Sequence, residues 1–278
     1  MGKKIKLLAL DLDGTLLNEA KQITPRTLAA LERARQQGVA LVPVTGRPAQ
    51  GLPQAVLDLP ELRYTVTSNG ATIRDLVTGE TLLEKHLSAE TCLAVLRQSA
   101  RIPMVREVFR EGIGYLSRTD YELLRARYAG TSLLRYHLGT RRVLPGTVAQ
   151  FLTADPRPVE ELFFLTDSPE EKARLRQTLA GLPDIGFADP FPNDLEVLAG
   201  DIDKGEGLRY LLGRLGIAPD QVLAMGDGDS DLPLLQAAGL GVAMGNATDR
   251  LKAAADHVTA SCDEDGVALA IETFVLAE

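Results

Sequence analysis

Cysteine, tryptophan and histidine are scarce in this chain. Its 278 residues include two cysteines, no tryptophan and three histidines. Cys92 and Cys262 stand far apart, without CxxC or Cys/His spacing, so neither a disulfide framework nor a zinc site is indicated and both read as packing residues. His86, His137 and His257 have no partner at metal-ligand spacing and read as structural or exposed. Long apolar runs are missing too: none reaches the roughly 18 residues that a membrane span needs. Positive charge is in deficit, with 30 Lys and Arg against 38 Asp and Glu and a net charge of −8. That balance argues against general affinity for nucleic acid, yet a small anionic substrate fits if the site is locally positive. The opening MGKKIKLLALDLD has two lysines before an apolar stretch, but the stretch is short, Asp11 breaks it, and no small-residue cleavage site follows. It reads as a first strand, and the protein as cytoplasmic.

What is present is ample core material, 45% hydrophobic residues, in a length that suits one large α/β domain or two smaller ones. IKLLAL at 5–10 is the continuous apolar run of a strand buried on both faces. ITPRTLAALERARQQG predicts a helix with Thr24 as N-cap, Pro25 in the first turn and Gly38 as the stop. VALVPVTGR supplies a second strand, ending in Thr45, Gly46 and Arg47, and YTVTSNGATI a third, ending near Asn69. Strand, helix, strand is the rhythm of a parallel sheet. From about 83 to 190 the texture changes to helices, LSAETCLAVLRQSA and SPEEKARLRQTLAG, among short β-like segments, VREVF, GIGYLS, RRVL and ELFFLT. Ser168, Pro169 and Glu171 suggest a capping box on the second helix. After FADPFPND the first rhythm returns, with LEVLAG, VLAMGD, LGVAMG and HVTAS as strands and KGEGLRYLLGRLG, SDLPLLQAAG and ATDRLKAAA as helices. The expected organisation is therefore an α/β body, 1–82 and 191–278, interrupted by an α+β insert at 83–190. No internal repeat or low-complexity tract interrupts it.

The chemistry-bearing residues fall at the ends of the predicted strands, where ligands sit in an open parallel sheet. Asp11 and Asp13 end the first, Thr45 and Arg47 the second, Asn69 the third, and Asp227, Asp229 and Asp231 the one written VLAMGDGDSD. Such a crowd of carboxylates repels itself unless a cation shares the space. The oxygen-only set points to magnesium, which takes one or two carboxylates plus a substrate phosphate. A calcium loop is excluded: counted from Asp227 its sixth and twelfth positions hold Leu232 and Ala238, and from Asp11 they hold Leu16 and Gln22. Lys204 opens a helix, against the macrodipole, and is either a solvated surface lysine or a phosphate ligand. Asn246, with Asp249 three residues on, reads equally as an N-cap or as a ligand donor.

Taken in order, DLDGTL at 11–16, VTGR at 44–47, DKGEGL at 203–208, GDGDSD at 226–231, MGNA at 244–247 and DEDGVA at 263–268 resemble the haloacid dehalogenase superfamily, and within it the Cof-type phosphatases. The resemblance implies a doubly wound, mainly parallel Rossmann-like core with an α/β cap where the insert lies. It implies Asp11 as nucleophile and Asp13 as general acid and base. It implies Mg2+ held by Asp11, the Asp13 carbonyl and Asp227, with Asp231 as a ligand or a supporting partner. Thr45, Gly46, Arg47, Lys204 and Asn246 would then contact the phosphoryl group or substrate, with Asn69 at the edge. One departure is Ser230, where asparagine is usual. Arg125, Arg127, Arg135, Arg141 and Arg142 in the insert would offer charge to an anionic or sugar leaving group, although a solvated face suits any single one better. The implied activity is Mg2+-dependent hydrolysis of a small phosphorylated metabolite, a sugar phosphate above all, by a monomer or weak homodimer without nucleic-acid or membrane partners. A phosphomutase of the same fold and a non-catalytic phosphometabolite-binding protein are the alternatives.

Overall fold

The computed structural model describes residues 4–130, 134, 139–189 and 192–277. They divide into two compact units: Met1–Gly46, Leu52–Leu83 and Ile202–Glu278 form the first, Arg47–Gly51 and Glu84–Asp201 the second.

In the first unit the opening apolar run folds as strand Leu7–Leu10, every residue buried. It lies inside a five-stranded parallel sheet whose spatial order is His257–Val258, Leu240–Ala243, Val222–Gly226, Leu7–Leu10, Ala40–Pro43. Alternate side chains feed opposite faces, as the period of two requires. Leu8 and Leu10 join the cluster holding Ala30, Ala34 and Ile271, whereas Leu7 and Ala9 join Leu208, Leu211 and Leu234. Helices cover both faces, so the strand carries no polar residue until its carboxyl end.

Two expectations need correcting here. YTVTSNGATI is not one strand of the parallel sheet. Tyr64–Thr67 meets that sheet through a parallel bridge at Val44–Val66 and then folds back on Thr72–Asp75 in a three-stranded antiparallel sheet with Thr81–Glu84. The link from Thr67 to Thr72 is too short for a parallel crossover, which needs a dozen residues or so. LEVLAG likewise does not return to the parallel sheet. Asp194–Ala199 pairs antiparallel with Ile185–Ala188 and Glu161–Leu165, in the second unit. Its apolar residues look alike in either setting, and only the pairing partner distinguishes them.

The second unit is built on a six-stranded sheet ordered Ile185–Ala188, Asp194–Ala199, Glu161–Leu165, Val105–Arg110, Ile113–Ser117, Arg141–Leu144. Its neighbours are antiparallel except the last two, which run parallel. Helices Ala89–Gln98, Val148–Ala154 and Pro169–Leu179 bury Val95, Leu152 and Leu175 against one face. Local signals set the helix starts: Thr24, Ser88 and Ser168 each accept a backbone N–H of the first turn. The capping box at Ser168 is half formed, because the Glu171 carboxylate takes the Asp167 N–H instead of closing back on Ser168.

Candidate active site

Asp11 continues its strand by donating its N–H to the Met225 carbonyl, 3.0 Å away, and is buried there. The ammonium of Lys204 lies between two carboxylates, 2.7 Å from Asp11 Oδ1 and 2.6 Å from Asp231 Oδ1. Asp231 spends its other oxygen on the N–H groups of Asp227 (3.0 Å) and Gly228 (2.9 Å). Asp11, Asp227 and Asp231 each present an oxygen within 4.8 Å of the others.

The charges do not balance. Three carboxylates share this space with one ammonium. Burial pushes the Asp11 carboxyl well above its usual range, and Asp231 and Asp227 add to the rise against the pull of Lys204. Burial, then Asp231, lifts Asp227 to about 7. Burial alone would lower the Lys204 pKa, but the attraction of Asp11 and Asp231 outweighs it and holds the lysine charged. A divalent cation with hard oxygen ligands would relieve the excess, and the donor set fits one. Gly14 lies against Asp227. With φ +79° it turns back so tightly that a Cβ there would lie 2.2 Å from Asp227 Oδ2, so only glycine lets this loop close over that carboxylate.

The reading of Lys204 as a solvated surface lysine is overturned: it is 4% exposed. Its helix, Lys204–Leu215, starts at Asp203, whose side chain accepts the Glu206 N–H. The glycines of KGEG let the first turn approach neighbouring backbone. A Cβ on Gly205 would meet the Pro233 carbonyl at 2.3 Å, and one on Gly207 would meet Gly70 Cα at 2.8 Å. The N-cap reading of Asn246 is overturned as well, since Thr248 caps helix Asp249–Ala254. Asn246 Nδ2 instead donates to the Gly14 carbonyl (2.9 Å) and to Asp227 Oδ2 (3.2 Å), while its Oδ1 accepts the Cys262 N–H (2.9 Å). It ties three loops of the site together.

A family model for haloacid dehalogenase-like hydrolases matches residues 8–271. The chain belongs to that family. Within this hydrolase family its relatives include the 5-amino-6-(5-phospho-D-ribitylamino)uracil phosphatase YcsE of Bacillus subtilis, 30% identical over 274 residues, covering 98% of this chain and 96% of the relative. The HMP-PP phosphatase of Cronobacter sakazakii is 32% identical over 268 residues, with 95% and 93% covered. Among solved structures, the subclass IIB sugar phosphatase BT4131 matches with a TM-score of 0.83 at 25% identity, over 98% of this chain and 100% of that one. This haloacid dehalogenase-like hydrolase is a phosphatase.

The other residues of the hydrolase's motifs have contacts of their own. Asp13 is half-buried and accepts Lys21 Nζ at 2.7 Å. Lys21 is absent from the residues that the sequence singled out. It sits at φ +59° after the Asn18 turn, and no motif announces it. Thr45 is buried at the end of the second strand, its N–H on the Val66 carbonyl and its own carbonyl accepting from Asn69. Arg47 belongs to Arg47–Gly51 of the other unit and donates to the Gly51 carbonyl at 2.9 Å. Asp229 accepts from Thr248 Oγ1 at 2.6 Å, a loop tie apart from the carboxylate trio. In DEDGVA, Asp263 accepts the Glu19 N–H and Asp265 the Thr24 hydroxyl, fastening the loop that carries Lys21.

Of the insert arginines, Arg125 reaches Glu122 and Arg127 pairs with Asp167. Arg141 is buried against Glu107 at 2.8 Å, and Arg142 is exposed. Arg135 and His137 lie outside the described residues. Cys92 and Cys262 are buried free thiols. No helix among the described residues is long and apolar enough to cross a membrane.

Proposed function

We propose that this phosphatase is a Mg2+-dependent phosphomonoesterase of a small phosphorylated metabolite, a sugar or polyol phosphate in class, working through a phosphoryl group carried on Asp11. The observation that carries the reading is the buried Asp11–Lys204–Asp231 contact beside Asp227, at the carboxyl end of the central strands. The phosphatases it resembles that act on a ribitylamino phosphate and on sugar phosphates support the substrate class.

Asp11 Oδ2 attacks phosphorus while Lys204 takes Oδ1 and fixes the carboxylate. The P–O bond to the leaving alcohol breaks as Asp13 delivers a proton to that oxygen. Asp13 then takes a proton from water as the water oxygen attacks the same phosphorus. The Asp11–phosphoryl bond breaks, and inorganic phosphate and the free carboxylate result. Thr45, the Gly46 amide and Lys204 stabilise the charge spread over the phosphoryl oxygens. Asp11, the Asp13 carbonyl and Asp227 would hold Mg2+, which when bound neutralises phosphoryl and carboxylate charge together. Asp231, with both oxygens engaged, and Asn246, with its amide engaged, act by holding Lys204, Asp227 and the Gly14 loop in place. Arg47 is assigned to the substrate side of the phosphate.

The test is phosphate release from a panel of sugar, polyol and nucleoside monophosphates, with Mg2+ and with the metal chelated. Mg2+-dependent release confined to a subset, abolished in Asp11→Asn with the melting temperature retained, is the expected result. Undiminished turnover in Asp11→Asn overturns the mechanism. Isomerised phosphoester without free phosphate would make the protein a mutase.

A further inference from the structure

Ser68, Asn69 and Gly70 are three consecutive residues in the left-handed region, at φ +47°, +51° and +100°. Only the last is a glycine, and a non-glycine residue keeps this backbone only where its surroundings hold it there. A plain explanation is an Asn-Gly hairpin turn between Tyr64–Thr67 and Thr72–Asp75. Turns of that kind sit at the surface. This one is buried, with Ser68 at 0% and Asn69 at 2% exposure.

Its two sides touch two different elements. On one side the Asn69 N–H donates to the Thr45 carbonyl at 3.0 Å, and Thr45 donates to Val66 at 2.9 Å, so Thr45 is tied to this hairpin through both its peptide groups. The Asn69 amide covers Gly46: a Cβ there would lie 3.1 Å from Asn69 Oδ1 and 3.3 Å from Nδ2. On the other side Gly70 backs onto the start of the Lys204 helix, where a Cβ would lie 2.2 Å from the Asp203 carbonyl and 3.4 Å from the Gly207 nitrogen. The turn is thus a spacer between Thr45–Gly46 and Lys204.

We propose that Asn69 is a positioning residue. Wedged against Gly46 in a turn that also seats the Lys204 helix, it sets the separation of the two elements that grip the transferred phosphoryl group. The inference rests on the proposed phosphate-binding role of Thr45, Gly46 and Lys204.

Asn69→Gly keeps the left-handed backbone and deletes the amide, and Asn69→Asp keeps size and backbone tolerance. The measurements are melting temperature, kcat and KM on a phosphoester the wild type hydrolyses, and inhibition constants for inorganic phosphate and orthovanadate. A misplacement near 1 Å costs up to about a hundredfold. Asn69→Gly is therefore expected to weaken both inhibitors and raise KM about tenfold or more with an unchanged melting temperature, and Asn69→Asp is expected to fall between it and wild type. Inhibition constants within about twofold of wild type in Asn69→Gly overturn the inference, as does a lowered melting temperature with binding unchanged, since that marks a purely structural turn. Thr45→Ala in the same assay separates the two claims. If it weakens phosphate and Asn69→Gly does not, Asn69 alone is misassigned. If neither does, the phosphate site is misassigned and Asn69 falls with it.

Discussion

Asp227 shows what single residues do at this site. Its carboxylate lies under Gly14, beside Asn246, and close to Asp11 and Asp231. Gly14→Ala therefore moves Asp227 or opens the loop, since the added methyl would lie 2.2 Å from Oδ2. The expected outcome is about a tenfold or larger rise in the Mg2+ concentration for half-maximal activity, with a smaller change in melting temperature, measured by metal titration of turnover. A variant with wild-type metal dependence would show that Asp227 is not held by this loop. Gly14 was legible as a member of DLDGTL, though not its approach to Asp227. Lys21 was not, because its reach to Asp13 depends on a positive φ and a loop fastened by Asp263 and Asp265, more than 240 residues along the chain.

The elements of the second unit carry a second charge arrangement, Glu107 on Val105–Arg110 and Arg141 on Arg141–Leu144. Both are almost wholly buried, 2.8 Å apart, with the guanidinium 4.7 Å from the Phe109 ring centre. A buried pair contributes little net stability against an apolar replacement, but breaking it from one side costs about 3–5 kcal/mol. Glu107→Gln and Arg141→Met are each expected to lower the melting temperature by several degrees. The double variant is expected to lose clearly less than the sum, as chemical denaturation of all four proteins would read. Strictly additive losses would mean that the two groups are not coupled. Sequence reading placed the strands VREVF, RRVL and ELFFLT correctly and saw Arg141 as a charge for a leaving group or on a solvated face, not as a buried partner of Glu107, since neither strand states which other strand will lie across from it. The same blindness placed Asp194–Ala199 in the wrong sheet.

Across the whole molecule, stability is expected to depend on pH through Asp194. Burial, with Glu107 adding and Lys172 opposing, raises its carboxyl to about 7 from an ordinary value near 3.8. The folded state then holds a proton that the unfolded chain has released. The stability linked to this proton is fully present below about pH 4 and is lost as pH rises to about 7. Each pKa unit is about 1.4 kcal/mol, so the loss is of order a few kcal/mol. Asp194→Asn should melt higher than wild type at pH 8 and show less of the fall in melting temperature between pH 5 and pH 8. An unchanged difference between the two pH values would show that the Asp194 carboxyl is not raised in the folded protein. The site's own acidity reflects the same molecule-wide compromise, because folding brings Asp11, Asp227 and Asp231 together from opposite ends of the chain.

The sequence by itself determined the parallel α/β core, the helix starts at Thr24 and Ser168, and the identity of the residues that cluster at the strand ends. These follow from local rules: apolar runs, capping side chains and motif spacing act over a few residues and do not depend on what lies across the fold. Only the tertiary structure decided that Lys204 is buried between Asp11 and Asp231, that Asn246 staples three loops instead of capping a helix, and that the turn Ser68–Gly70 sets Asn69 against Gly46 and Gly70 against the start of the Lys204 helix. The helix of Lys204 is seated by backbones that approach to contact distance at glycines 70, 205 and 207, and Asn246 joins segments near residues 14, 227 and 262, contacts that no single stretch of sequence carries.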